Sequence, residues 1–450
     1  MKVSPITHDG FQSIESSCPD RDQLHLYTGN LLKSVSLFSI PTVGPSLAFG
    51  LYHNSRAIGA ASEVGIGWRH SAQARLERAS SVATLVEYTD ASGRRADFEK
   101  VGSDWLLKDN SLFRNMTLSE LGSGIWQLRH DPSGDILEFS ELAGTPIVAR
   151  LSRLLDQNDN EVEYVYNGSG ELQQIVEPVS ERALTLGWDS GLITSVSDPE
   201  GNGYLLSYTD ELLTELEMPD GCRIQLAYNG DQQVESRTDR VGFSTVYTYT
   251  DDRLTRVEGV FEAEVLSEAS WEYPVDPVVE SLGTSGGDFT QVLFTDARGK
   301  VWDFHFLANS MLWREINPLG HHRRFYYDDF QNLLYASEGY FRANIEGTPS
   351  GATEGPRDNF SSRFRFYAYD LVGNMRESWD ANGLITTYTV DEHSRTTSVY
   401  RGQAHCTLGG DWRQHFCQDG YLFCAHGDGG TDWENLPDYV SQVTKGGDVD

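Results

Sequence analysis

The chain has 450 residues, room for two or three ordinary domains, and carries 67 acidic against 35 basic side chains, a net charge of −32. That balance repels phosphate backbones and anionic lipid surfaces, so it argues against nucleic-acid binding and leaves two readings, solubility or a basic partner. Aromatic residues make up 11% and glycines number 43, with only 5 methionines, a mix that suits strands and turns better than helices. No apolar run reaches the roughly eighteen residues needed to span a bilayer. Residues 1–20 hold a lysine but no apolar core segment, so no secretory leader is expected, and the chain is cytoplasmic or exported by another route.

Residues 1–23 read as a polar, flexible tail, with order expected from about Leu24. From there to 145 the text is strand and turn. Leu47, Phe49 and Leu51 alternate after a turn at Val43-Gly44-Pro45, and Gly65-Ile66-Gly67-Trp68 precedes another short run. A period of two is the mark of a half-buried strand. Further strands are expected at Thr84 to Tyr88, Gly124 to Leu128 and Ile136 to Phe139, and no linker interrupts them.

The stretch from 146 to about 400 is organised by repetition. Tyr166, Trp188, Tyr208, Tyr228 and Tyr249 follow one another at intervals of 22, 20, 20 and 21 residues, and Gly201, Gly221 and Gly242 keep the same beat. A fixed period of this length means one supersecondary unit stacked on copies of itself. Each aromatic closes an alternating run such as Ile224, Leu226, Tyr228 and is followed by a turn dipeptide such as Asn167-Gly168 or Asn229-Gly230. A second short strand and a second turn, such as Asp198-Pro199-Glu200-Gly201, complete the unit. The expectation is an all-β chain: tandem antiparallel hairpins in a long spiralling or curled sheet with one aromatic face. Tyr327 and Tyr369 anchor later copies, and insertions near 259–290 and 339–362 interrupt the beat.

The fullest copy reads Tyr367-Ala368-Tyr369-Asp370-Leu371-Val372-Gly373-Asn374, with Asp380-Ala381-Asn382-Gly383 after it. This string resembles the YD repeat of the Rhs family. The order Gly29-Asn30-Leu31, Pro41, Gly44-Pro45-Ser46-Leu47, Tyr52-His53-Asn54-Ser55, Gly65-Ile66-Gly67-Trp68 is also similar to the segment that precedes YD repeats in such proteins. The resemblance implies a partial shell, a strand-walled cocoon enclosing a toxin. Two departures stand out: the shell-closing Pro-x4-Asp-Pro-x-Gly-Leu self-cleavage motif is absent, and barely fifty residues follow the last repeat.

Those last residues, 401–450, differ in character. Cys406, Cys417, Cys424 and His426, with His405 and His415 nearby, are the residue types that bind zinc, though their spacing fits no familiar zinc pattern. Plain structural cysteines, a disulfide and a metal site all remain open there, whereas Cys18 and Cys222 read as isolated. Asp156-Gln157-Asn158-Asp159-Asn160 offers calcium-like oxygens, but a hairpin turn between strands explains the same residues. There is no nucleophile elbow, phosphate loop or His-Glu-x-x-His, so no enzyme is expected.

Three functions follow, in order. The first is a non-catalytic wall or scaffold of a toxin-delivery or interbacterial-competition system, self-associating or meeting a toxin cargo or a further shell segment. The second is an extracellular module that binds carbohydrate or protein on its repeat sheet. The third, an enzyme built on the tail cluster, ranks last.

Overall fold

The computed structural model describes residues 20–403 apart from 58, 60–61, 81, 109–112, 114, 132, 143–146, 275–289, 328–331, 338–340, 343–363, 370–373, 380–383 and 392–395. The chain is all-β and almost every strand pairs antiparallel with its sequence neighbour. Its described residues divide into two compact units, 20–272 with 294–299, and 273–293 with 300–403.

The first unit opens with a four-stranded sheet: β1 (Asp20–His25), β2 (Asn30–Ile40), β3 (Leu47–Asn54) and β4 (Trp68–His70). Order thus begins ahead of Leu24. One face of this sheet carries Leu31, Lys33, Val35 and Leu37 from β2 and Leu47, Phe49, Leu51 and His53 from β3, all buried.

An element that the sequence does not announce comes next. The strands β5 (Arg75–Arg78), β6 (Leu85–Thr89), β7 (Arg95–Val101), β8 (Asp104–Lys108), β9 (Met116–Gly122), β10 (Ile125–His130), β11 (Ile136–Glu141) and β12 (Ile147–Leu155) pair in sequence. The ring closes because Ile147 to Arg150 of β12 pair back onto Arg78 to Arg75 of β5. The result is a closed eight-stranded barrel, which abolishes sheet edges over this stretch. Its interior is filled by Leu76, Val86, Phe98, Trp126, Leu128, Phe139 and their neighbours, so it is a packed core and not a channel.

β12 has a second role. Its last residues, Arg153 to Leu155, pair with β13 (Glu161–Tyr166), and from there the repeat sheet runs on. It continues through β14 (Leu172–Glu177), β15 (Arg182–Asp189), β16 (Leu192–Ser197), β17 (Gly203–Thr209) and β18 (Leu212–Glu217). Then follow β19 (Arg223–Tyr228), β20 (Val234–Asp239), β21 (Ser244–Thr250), β22 (Arg253–Phe261) and β23 (Glu264–Glu272). Strand structure therefore continues to Glu272, well into the interruption expected at 259–290.

Two turn types join these strands. Ser190-Gly191, Asp210-Glu211, Asp251-Asp252 and Glu262-Ala263 are tight turns with both residues at positive φ, the twist that matches paired strands. Most of the others are five-residue turns headed by an Asp carboxylate or an Asn carboxamide; Glu177 and Met218 head the two exceptions. Asp198 Oδ1 accepts from the Glu200 and Asn202 N–H groups (3.0 and 2.8 Å), while Gly201 N–H donates to the Asp198 carbonyl (3.1 Å). Asn167 and Asn229 head the same turn, and its positive-φ position falls on Gly170 and Gln232, not on the Gly168 and Gly230 of the expected Asn-Gly turns. Asp156 does likewise, with Asp159 at φ 62°, so its carboxylate is occupied by the Asn158 and Asn160 N–H groups in a plain hairpin turn.

The apolar face of the repeat sheet does not lie open. Leu213, Leu216, Ile224 and Leu226 meet Val35, Leu51 and Trp68 of the first sheet around a residual void of ≈ 10 Å³, barely a water's worth of space. The two sheets form a filled sandwich, and over this stretch no lumen separates them.

The second unit repeats the hairpin plan. It holds most of β24 (Thr290–Thr295), then β25 (Val301–Phe306), β26 (Leu312–Ile316), β27 (His321–Tyr327), β28 (Leu333–Ser337), β29 (Phe341–Arg342), β30 (Phe364–Tyr369), β31 (Met375–Trp379), β32 (Leu384–Val390) and β33 (Thr396–Gln403). The insertion expected at 339–362 lies, except for β29, outside the described residues.

Candidate functional site

The repeat anchors share one geometry. Tyr166 hydroxyl donates to the Leu151 carbonyl (2.9 Å), Trp188 Nε1 to Leu172 (2.8 Å), Tyr208 to Ile193 (2.7 Å), Tyr228 to Leu213 (2.7 Å) and Tyr249 to Val234 (3.0 Å). In the second unit Tyr327 donates to Leu312 (2.8 Å). Each anchor therefore reaches a carbonyl fifteen or sixteen residues upstream. The accepting residue faces the previous anchor across a strand pair: Leu172 opposes Tyr166, Ile193 opposes Trp188, Leu213 opposes Tyr208, and Val234 opposes Tyr228. The rings form a chain of ties, each linking one hairpin to the next.

A β-bulge makes this reach feasible. The register shifts immediately before every anchor, at Val165/Tyr166, Gly187/Trp188, Ser207/Tyr208, Ala227/Tyr228 and Thr248/Tyr249, and again at Tyr326/Tyr327 and Ala368/Tyr369. A bulge breaks strict alternation and re-aims one side chain, here along the sheet rather than straight into the core. Burial raises the phenol pKa at Tyr166, Tyr208, Tyr228, Tyr249 and Tyr327, so all stay protonated donors at any ordinary pH.

Beneath the first sheet lies a polar seam that sequence reasoning missed. Lys33 Nζ donates to Asp22 Oδ1 (2.6 Å) and to the Tyr247 hydroxyl (2.6 Å), which in turn donates to Asp22 Oδ2. Trp68 Nε1 donates to the Tyr228 hydroxyl (3.0 Å), so Tyr228 carries both a tie within the repeats and a tie to the first sheet. His53 is fully buried. Its Nδ1 lies 2.9 Å from the Gly67 carbonyl and so holds the proton, leaving Nε2 buried without a hydrogen-bond partner among the described residues. Desolvation, and then the Lys33 charge, push the His53 pKa down to about 3, so the ring is neutral. His70 is neutral for the same first reason, and its Nε2 sits 2.7 Å from Glu63 Oε2. The available signal was positional: Lys33 and His53 stand on the buried parity of otherwise apolar alternating strands.

The seam joins sheets and presents no nucleophile with a base. Cys406, Cys417, Cys424 and His426 lie outside the described residues. Tyr369 opposes Met375 behind its bulge. Cys222, read from sequence as isolated, is instead buried and disulfide-bonded, which corrects the expectation that any disulfide would sit in the tail and not in the repeats. On the outer face of β17 to β20, Ser207, Thr214, Glu215, Gln225, Ser236 and Thr238 line an open trough of ≈ 490 Å³.

A family model described as a domain of unknown function (DUF6531) matches residues 21–98, which hold the first sheet and the start of the barrel. No curated protein matches the chain. Among solved structures, the chain is similar to one described as TcdB2-TccC3-TEV, with TM-score 0.40 and 11% identity over 84% of this chain. It is similar also to TcdB2-TccC3 without its hypervariable C-terminal region (TM-score 0.40, 12% identity, 83% of this chain). A third is the Photorhabdus luminescens Tc holotoxin pore carrying the TccC3 mutation D651A (TM-score 0.38, 13% identity, 83% of this chain). The chain spans about 22% of the length of the first of these and 21% of the other two.

Proposed function

We propose that this chain is a non-catalytic wall segment, a YD-type repeat scaffold of a toxin-delivery or interbacterial-competition system. The observation that carries the reading is the chain of anchors. Tyr and Trp side chains that could present rings to a ligand are spent on backbone carbonyls of the neighbouring repeat, as a rigid wall requires and a ligand platform does not. Support comes also from the Tyr367-Ala368-Tyr369-Asp370 string and its resemblance to Rhs repeats. The partner is a toxin cargo or a further shell segment.

The outer trough favours a second reading. Its hydroxyl, carboxylate and amide groups suit a carbohydrate, as in an extracellular binding module. The two readings separate experimentally. Tagged chain is purified from its native host and challenged with protease, and in parallel the pure protein is applied to a glycan array. A wall segment shields a co-purified polypeptide and captures no glycan. Saturable glycan capture, lost on Glu215→Ala and Gln225→Ala, with no shielded polypeptide, overturns the wall in favour of the module.

A further inference from the structure

The two mouths of the eight-stranded barrel differ in kind. At one mouth lie the end of β5, β7, β9 and β11 and the start of β6, β8, β10 and β12. The described residues of the connections there, 79–80, 82–84, 102–103, 123–124 and 142, include no Lys, Arg, Asp or Glu, in a chain that is 23% charged. At the other mouth the connections hold Asp90-Ala91-Ser92-Gly93-Arg94, Asp131 and Ser133-Gly134-Asp135, and Asp156 to Asn160. The large aliphatic side chains that the barrel exposes follow the same division. Val82, Leu85, Val101, Leu106, Leu121 and Leu142, between 41% and 86% exposed, all sit at the mouth whose described connections lack charge. Scattered single exposures are ordinary in any protein, but six at one end of one barrel are not scattered.

The charged mouth is where the barrel joins the rest of its unit. Arg69 of the first sheet donates to the Ala91 carbonyl (3.1 Å), and β13 pairs with Arg153 to Leu155. The aliphatic mouth is the end away from these attachments. It is not an opening. Arg78 is ion-paired to Glu141 and Glu120, Lys100 to Glu120 (3.2 Å), and the two cations lie over the rings of Trp126 and Trp105. This paired layer seals the mouth, so a small molecule has nothing to enter.

We propose that this mouth is a docking surface for a basic, amphipathic polypeptide segment from a partner protein. The charge pattern selects the occupant. Glu99 stands in register between Leu85 and Leu106, and Asp104 opposes Val101. Neither carboxylate has an ion-pair partner among the described residues. A second copy would bring these acids, and a net charge of −32, against their own kind. Six half-exposed aliphatics also fall short of the roughly 800 Å² per partner of a stable dimer. A bilayer would have to desolvate both carboxylates without pairing them. A segment with an apolar stripe flanked by Lys or Arg buries the aliphatics and pairs the acids together. The inference holds whether the chain is a wall or a binding module.

The probe is a fluorescein-labelled amphipathic peptide of leucine and lysine, titrated against the full chain by anisotropy at low and moderate salt. Saturable one-to-one binding is expected. It should weaken at least tenfold in the combined Val82→Ser, Val101→Ser, Leu121→Ser, Leu142→Ser variant, and at least tenfold in Glu99→Lys with Asp104→Lys. Asp131→Asn with Asp159→Asn, at the opposite mouth, should leave it unchanged. The Glu99 and Asp104 variant changes surface charge alone and guards against a serine variant that fails to fold. Equal binding by all variants would mean general attraction to an acidic chain and overturns the proposal. So does phosphatidylcholine vesicle binding, or self-association, that disappears in the serine variant without any saturable peptide binding.

Discussion

Removing one oxygen, by Tyr228→Phe, should separate the two ties that meet at that hydroxyl. The group donates to the Leu213 carbonyl and accepts from Trp68 Nε1, which belongs to a side chain only 2% exposed. Losing the bond to Leu213 costs about 1 kcal/mol, and leaving the buried indole N–H without an acceptor costs about 1–3 kcal/mol more. The total is about 2–4 kcal/mol. Tyr208→Phe removes one bond, to Ile193, and should cost about 1 kcal/mol. Alanine at either position empties the ring's volume as well and should cost about 3–5 kcal/mol. Urea unfolding followed by tryptophan fluorescence measures all of these. Trp68→Phe, alone and with Tyr228→Phe, completes a double-mutant cycle whose coupling should reach about 1 kcal/mol. If Tyr208→Phe proves as costly as Tyr228→Phe, or the cycle shows no coupling, then Tyr228 does not bridge the two sheets and the reasoning fails.

Acid should loosen the seam. The His53 pKa falls from 6.5 unfolded to about 3 folded, so the native state binds fewer protons between those values. Its contribution is complete above pH 6.5 and is lost as pH falls toward 3, about 2 kcal/mol of it by pH 5. His25 and His70 shift the same way, and His53→Gln should flatten the measured slope between pH 5 and 6.5; an unchanged slope refutes the assignment. Lys33→Met leaves the Asp22 carboxylate without its cation and should cost about 3 kcal/mol in the same unfolding assay, with a wild-type midpoint as the contrary result. Intact mass before and after reduction should reveal the disulfide of Cys222 as a gain of two hydrogen atoms, abolished by Cys222→Ser.

The repeat was legible because its signals are local. The spacing from Tyr166 to Tyr249 and the glycines at 201, 221 and 242 mark hairpins wherever they occur, and the strands fall where the alternation put them. What the anchors do was not legible. A hydroxyl that meets a carbonyl fifteen residues upstream depends on a bulge, and bulges leave no residue type behind. The barrel escaped for a different reason. Its closure rests on Ile147 to Arg150 meeting Arg75 to Arg78, a pairing across some seventy residues that no local pattern encodes. Asn167-Gly168 misled because the Asn side chain, rather than the following Gly, organises the turn.

The amino-terminal stretch that resembles Rhs-type sequences is one side of an interface with the repeats between Ile193 and Leu254, and this explains its residue types. Bulges free backbone N–H groups, and the first sheet's connections supply acceptors for them. Leu254 N–H donates to the Gly29 carbonyl (2.8 Å) and Ile193 N–H to the Glu63 carbonyl (2.8 Å), while Ile66 N–H donates to Glu211 in a tight turn of the repeats (2.9 Å). Such approaches exclude side chains. A Cβ on Gly29 would lie 2.5 Å from Arg253 Cβ, and one on Gly65 would lie 2.8 Å from the Glu211 carbonyl, and both glycines hold positive φ. Asn30 and Ser55 bond to each other (3.1 Å), and the Ser55 carbonyl accepts from Gln233 of the repeats (3.4 Å). Trp68 completes the series at Tyr228. Gly29, Asn30, Ser55, Gly65 and Trp68 are therefore not markers of a separate module. They are the fittings by which an amino-terminal sheet covers the apolar face that a run of hairpins, on its own, would leave to water.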